Sequence, residues 1–90
     1  IKAMAEHPHI EVRVIGFSFW RWLQGADLRM AALKGLIDTS DQVRLYCAEA
    51  LGSGCAIPAD SAFLQECLEQ EHVTGIREHL TAAIIALQEP

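Results

Sequence analysis

One short phrase occurs three times in this chain, and its spacing constrains the fold more than any other feature. In each copy a β-branched apolar residue precedes an arginine, at Val12-Arg13, Val43-Arg44 and Ile76-Arg77. The arginines are 31 residues (44 − 13) and then 33 residues (77 − 44) apart. A period between about 20 and 50 residues is typical of repeat proteins, in which similar units stack on one another.

The residues around each arginine form an apolar stripe at helical spacing. In a helical projection centred on the arginine, the first copy has a predicted buried arc of Val12, Gly16, Phe17, Phe19, Trp20 and Leu23. The arc of the second copy contains Val43, Cys47, Ala48, Ala50 and Leu51. The three arginine-bearing segments are therefore predicted to be amphipathic helices.

Shorter amphipathic segments lie between them, and no segment has the alternation of a β-strand. Asp27 and Asp60 stand where the start of a helix favours an acidic residue. Gly25, the Gly52-Ser53-Gly54 stretch and Pro58 mark breaks between helices. The pattern predicts a helical stub and then five helices, at about 9–24, 27–37, 41–52, 60–69 and 73–88.

The succession of longer and shorter predicted helices indicates an all-α fold, an α-α superhelix (solenoid) of antiparallel helical hairpins. The whole chain, 1–90, is expected to form one domain with repeats at about 1–24, 26–54 and 59–89. Apolar residues make up 51% of it, as expected where each unit is covered by neighbours on both sides. Because helix-like sequence begins at Ile1, we expect a piece of a longer solenoid.

The middle copy is similar to a known family. It runs Asp38-Thr39-Ser40-Asp41-Gln42-Val43-Arg44 and continues into Ala48-Glu49-Ala50-Leu51-Gly52. This sequence resembles HEAT repeats, especially the short-period phycocyanobilin-lyase-type repeats, in which an Asp-Pro-x-x-x-Val-Arg-like phrase leads into the second helix. The first copy departs from the pattern, with His7 in place of the acid and bulky Phe17, Phe19 and Trp20. The last copy has Glu71 for the aspartate and lacks the final glycine.

The acid and the arginine of each phrase have a structural interpretation. Six residues separate Asp38 from Arg44 (44 − 38) and Glu71 from Arg77 (77 − 71). The acid falls in the predicted turn and the arginine in the following helix, so stacked repeats would align these groups for charge-assisted hydrogen bonds between turns. We predict a structural ladder of Arg13, Asp38, Arg44, Glu71 and Arg77.

A second set of residues is predicted to bind a partner. Ile15, Tyr46 and His79 lie two positions after the arginines, outside the buried arc, and Trp22 and Glu49 lie further along. If the longer helices form an inner row, as the HEAT resemblance implies, these five residues line one concave groove. Exposed aromatic residues on such a face are typical of protein recognition. The alternative is that a preceding repeat covers Ile15 and Trp22.

We therefore expect a non-catalytic interaction module for a protein or peptide. Its apolar ends also predict end-to-end self-association. The alternative that the resemblance implies is part of a HEAT-like enzyme, such as a bilin lyase or a His/Glu metal-dependent hydroxylase. In the related deoxyhypusine hydroxylases the pairs run His-Glu, whereas here Glu71-His72 and Glu78-His79 run in reverse.

No catalytic, cofactor-binding or metal-binding residue is predicted. The four histidines lack metal-ligand spacing, and no Cys/His pairing occurs. Cys47 falls in the predicted buried arc, where a thiol stays protonated. The carboxylates of Glu66, Glu69, Glu71 and Glu78 are expected on a solvated acidic face.

Charge and cysteine usage restrict the partner and the compartment. The net charge is −5 and the two lysines and five arginines form no cluster, which is unfavourable for binding nucleic acid. No apolar run approaches the roughly 20 residues that cross a bilayer. Three cysteines without a CxxC pair, in a chain without asparagine, predict a reducing, cytoplasmic environment.

Overall fold

The computed structural model describes residue 4, residues 6–22 and residues 25–88, and in these residues the fold is all-helical. The helices are α1 (Ile10–Ser18), α2 (Gly25–Gly35), α3 (Asp41–Ala50), α4 (Ser61–Gln70) and α5 (Thr74–Gln88). A 3-10 turn at Trp20–Trp22 follows α1, a π-helical turn at Leu51–Cys55 follows α3, and a 3-10 turn at Pro58–Asp60 precedes α4. None of the described helices is both long and apolar enough to cross a membrane.

Side chains in the turns fix where the helices begin. Ser40 has extended backbone and caps α3, since its hydroxyl accepts the amide proton of Val43. Asp38 accepts the amide proton of Ser40, and Glu71 accepts those of His72 and Val73. The acids before α3 and α5 therefore shape their own turns.

A glycine stretch follows the end of α3, as the sequence predicts. The π-helical turn at Leu51–Cys55 follows the helix, and within it Gly54 has a non-helical backbone with a φ of 118°. Residues with a side chain rarely adopt that conformation, so Gly54 can reverse the chain where another residue would be strained. Gly25, predicted to be a break, is instead the first residue of α2.

Two predicted helices are too long. α1 ends at Ser18, and Phe19, predicted in the buried arc, is 46% exposed at the start of the tighter turn that follows. α2 ends at Gly35, so Ile37 lies in the connection to α3 and is 73% exposed. In both places apolar residues continue past the last helical residue, so periodicity alone overestimates the helix.

The helices pack around α3. It contacts α1, α2 and α5, while α4 packs against α5. The predicted buried arc of α3 is confirmed, because Val43, Cys47, Ala48, Ala50 and Leu51 are each at most 2% exposed. The Cα atoms extend over 37 × 28 × 16 Å.

A glycine permits a close approach between α2 and α3. A Cβ atom on Gly35, at the end of α2, would overlap the sulfur of Cys47 and lie 3.1 Å from Cζ of Phe17. The missing side chain thus brings α2 into contact with both α1 and α3.

Candidate functional site

Two arginines connect successive turns. Arg13 on α1 donates from Nε and Nη2 to the two carboxylate oxygens of Asp38, at 2.7 and 3.0 Å. Arg44 on α3 donates in the same way to Glu71, at 2.8 and 3.5 Å. Both pairs are largely buried, with side chains 5–15% exposed. Each arginine therefore joins its own helix to the turn that precedes the next arginine-bearing helix.

The remaining guanidinium nitrogen of each arginine contacts the arginine's own turn. Nη1 of Arg13 donates to the carbonyls of His7 and Pro8, and Nη1 of Arg44 to those of Asp38 and Thr39. Nη1 of Arg77 donates to the carbonyls of Glu71, at 2.7 Å, and Leu68. In all three helices the arginine therefore contacts the carbonyl six residues before it.

A further ion pair, between Arg29 and Asp60, was not predicted from the sequence. Arg29 on α2 donates from Nε to Asp60 at 2.9 Å and from Nη2 to its other oxygen at 2.5 Å. Asp60 also accepts the amide proton of Ile57, so it connects the start of α4 to α2. The separation of 31 residues equals the first repeat interval, which is the signal that could have found it.

These contacts lower the pKa of all three acceptor carboxyls. For Asp60, hydrogen bonds from Arg29 outweigh the effect of burial. For Asp38 and Glu71, burial would raise the pKa, but hydrogen bonds and charges from the arginines, with the turn amides, outweigh it. Glu71, also predicted on a solvated acidic face, is buried instead, because Arg44 covers its carboxylate.

Four of the five predicted partner-binding residues lie on α1, α3 and α5, and α3 contacts both of the other two helices. The fifth, Trp22, lies in the turn after α1. Ile15 on α1 is 48% exposed, and Tyr46, Glu49 and His79 on α3 and α5 are partly exposed. Trp22 is 75% exposed, but it lies in the 3-10 turn after α1 and not on the predicted helix. The alternative that a preceding repeat covers Ile15 and Trp22 stays a prediction.

The other chemically reactive groups are dispersed. His7 and His9 stack with their ring centroids 5.4 Å apart, and His7 accepts the amide proton of His9. Burial raises the pKa of the Cys47 thiol, and it also raises the pKa values of Cys55 and Cys67, which are less buried. Among the described residues, no group of three or more His, Cys, Asp or Glu side chains is placed to hold a metal ion.

A cleft of about 410 Å³ opens beside α2. Its lining combines apolar Phe17 and Met30 with charged Lys34 and Asp38. The Asp38 carboxylate is already bound by Arg13, and Lys34 lies 3.8 Å from Glu6. The cleft thus offers mostly paired charges to a ligand.

Comparison with protein-family models, with curated proteins and with solved structures found no match to this chain.

Proposed function

We propose that this chain is a HEAT-type solenoid segment whose arginine-bearing helices, α1, α3 and α5, present one face to a protein or peptide. The residues that bind the partner are Ile15, Trp22, Tyr46, Glu49 and His79. The observation that carries the proposal is the shared geometry of Arg13, Arg44 and Arg77, each of which contacts the carbonyl six residues earlier.

The shared geometry orients the three helices alike relative to their turns. Ile15, Tyr46 and His79, each two residues after an arginine, therefore occupy equivalent positions on adjacent helices. On α3 the buried residues lie on the opposite side from Gln42 and Glu49, which leaves this side of the helix open to a ligand. The three positions thus form a row across the face.

The chemistry of the row suits a peptide with one apolar anchor. Trp22 and Ile15 provide apolar surface at one end, and exposed tryptophan is enriched in the residues that dominate binding energy. Tyr46, Glu49 and His79 add hydrogen-bonding groups toward the other end. The partner is therefore expected to place an apolar side chain near Trp22 and a polar or basic group near Glu49.

Paired variants test this face. Trp22→Ala combined with Tyr46→Ala removes two aromatic groups from it, while Met30→Ala combined with Ile37→Ala removes exposed apolar groups elsewhere. Proteins captured from a cell extract by the native chain are identified, and peptides from them are titrated against each variant by calorimetry. We expect the first variant to weaken binding at least tenfold, about 1.4 kcal/mol, and the second to leave it unchanged. Equal affinity of both variants would contradict the proposal.

A further inference from the structure

One position on α5 is exposed although the equivalent positions of the other two arginine-bearing helices are buried. Four residues after the arginine, α1 buries Phe17 and α3 buries Ala48, but α5 exposes Thr81. Four residues later on the same side, Ile85 is 52% exposed. Thr81 and Ile85 therefore form an exposed strip of α5 beside Arg77.

Arg77 lies on that side, and among the described residues only its Nη1 has hydrogen-bond acceptors. Its Nη1 donates to the turn carbonyls as in Arg13 and Arg44, which holds the guanidinium in the same place. Within the part of the chain that the structure describes, no carboxylate accepts from its Nε and Nη2, the two atoms that bind Asp38 and Glu71 in the other two arginines. A planar guanidinium edge suits a carboxylate through two parallel hydrogen bonds.

The surface around Arg77 permits the approach of a helix. A shallow groove of about 480 Å³ is lined by Thr74, Arg77, Glu78, Thr81, Ala82 and Ile85. The threonines and the alanine are small enough for close helix packing, and Ile85 provides an apolar contact. The equivalent position of α3 is Ala48, a small residue that is buried.

We propose that this side of α5 binds a helical hairpin of a partner protein whose connecting turn carries an aspartate or glutamate. The turn carboxylate pairs with Nε and Nη2 of Arg77, and the helix after the turn packs along Thr81 and Ile85. This surface differs from the face that contains Tyr46 and His79.

The opposite end of a second copy does not have this chemistry. Six residues before Arg13 stands His7, where Asp38 and Glu71 precede Arg44 and Arg77. Phe19 lies six residues after Arg13, and at the same distance from their arginines α3 and α5 bury Ala50 and Ala83. The end-to-end association predicted from the sequence would set His7 and the bulky Phe19 against α5, in place of a carboxylate and a small residue.

The chain's own α4–α5 hairpin is a suitable probe. We extend the full chain after Pro90 with a second copy of residues 58–90, so that two residues separate Gln88 from the copied Pro58, as two separate Cys55 from Pro58. The copied Glu71 then lies 27 residues beyond Arg77, the separation of Arg44 and Glu71. The extended chain is made with Arg77→Gln, with the copied Glu71→Gln, and with both changes. Arg77→Gln is also made in the original chain.

Urea unfolding and cysteine labelling give independent results. We expect each single change in the extended chain to lower the folding equilibrium constant about tenfold, and the double change to add little, because the partners of a contact couple. A thiol reagent should modify Thr81→Cys at least tenfold more slowly in the extended chain than in the original. Ala86→Cys, exposed on another side of α5, serves as the control and should keep its rate.

Three results would overturn the proposal. The first is an unchanged labelling rate at position 81. The second is that the added hairpin slows labelling at position 81 equally with and without the copied Glu71→Gln, which would show that the carboxylate is not recognised. The third is dimerisation of the unextended chain that Arg77→Gln abolishes, in which case the surface binds a second copy.

Discussion

At the scale of single residues, the arginines form two kinds of contact with different energetic roles. The contact to the turn carbonyls is local in sequence and is formed by Arg13, Arg44 and Arg77 alike. The contact to a carboxylate spans 25 or 27 residues and buries opposite charges. Breaking such a pair leaves one charge buried without a partner, which costs more than the pair itself contributes.

Arg44→Gln should therefore destabilise the protein by roughly 2 kcal/mol, because it strands the buried Glu71 carboxylate. Arg77→Gln is the matched control, since Arg77 has the carbonyl contacts and, among the described residues, no carboxylate partner. It should cost no more than about 1 kcal/mol. Urea unfolding at pH 7 measures both values, and an Arg77→Gln cost equal to that of Arg44→Gln would contradict this assignment.

Cys47 should resist alkylation in the native protein. It is 0% exposed and burial raises its pKa, so little thiolate is available for reaction. Cys55 and Cys67 are partly exposed and should react first. Mass spectrometry of iodoacetamide-treated protein at increasing urea concentrations gives the order, and modification of Cys47 before the unfolding transition would show that the core is open.

At the scale of the elements, small residues and turn acids decide how the helices meet. Asp38 and Glu71 shape the turns before α3 and α5, and the same carboxylates accept from the preceding arginines. Gly35 then determines how closely α2 approaches α3. The position of each helix therefore depends on both a polar contact at its turn and an apolar contact along its length.

Gly35→Ala should destabilise the protein by about 1–3 kcal/mol, because the added methyl group overlaps the sulfur of Cys47 and crowds Phe17. Gly75→Ala is a suitable control, since no atom lies within 4 Å of its added Cβ and alanine favours the helix. It should leave stability unchanged or raise it by up to about 1 kcal/mol. Thermal unfolding distinguishes the two, and a neutral Gly35→Ala would mean that α2 moves away without loss.

At the scale of the whole molecule, three ion pairs tie helices that are distant in sequence into one unit. Arg13–Asp38 joins α1 to the turn before α3, Arg29–Asp60 joins α2 to the turn before α4, and Arg44–Glu71 joins α3 to the turn before α5. The radius of gyration of 12.0 Å is that of a compact domain of this length, about 12 Å.

Stability should fall in acid because of these pairs. The pKa values of Asp38, Asp60 and Glu71 lie below their ordinary values in the folded chain, so the unfolded chain binds protons first as the pH falls. Their contribution is complete above about pH 4–5 and is lost progressively below it. Urea unfolding between pH 7 and pH 2.5 measures this, and Asp38→Asn should give a weaker pH dependence. Stability that stays constant or rises between pH 5 and pH 3 would contradict it.

The local features of this fold could be predicted from the sequence. The stripe around Arg44, the acid in each turn and the glycine after α3 depend on interactions over a few residues, which the periodicity and turn chemistry record directly. The same reasoning overestimated α1 and α2, because Phe19 and Ile37 continue the apolar pattern without continuing the helix.

The sequence by itself determined that the chain forms helices, roughly where they lie, and which face of α3 is buried, because helix formation and amphipathicity follow from neighbouring residues. Only the tertiary structure decided that Arg29 pairs with Asp60, that Gly35 contacts Cys47, and that Glu71 is buried while Thr81 is exposed. These outcomes depend on how segments tens of residues apart pack, which the pattern of neighbouring residues does not record.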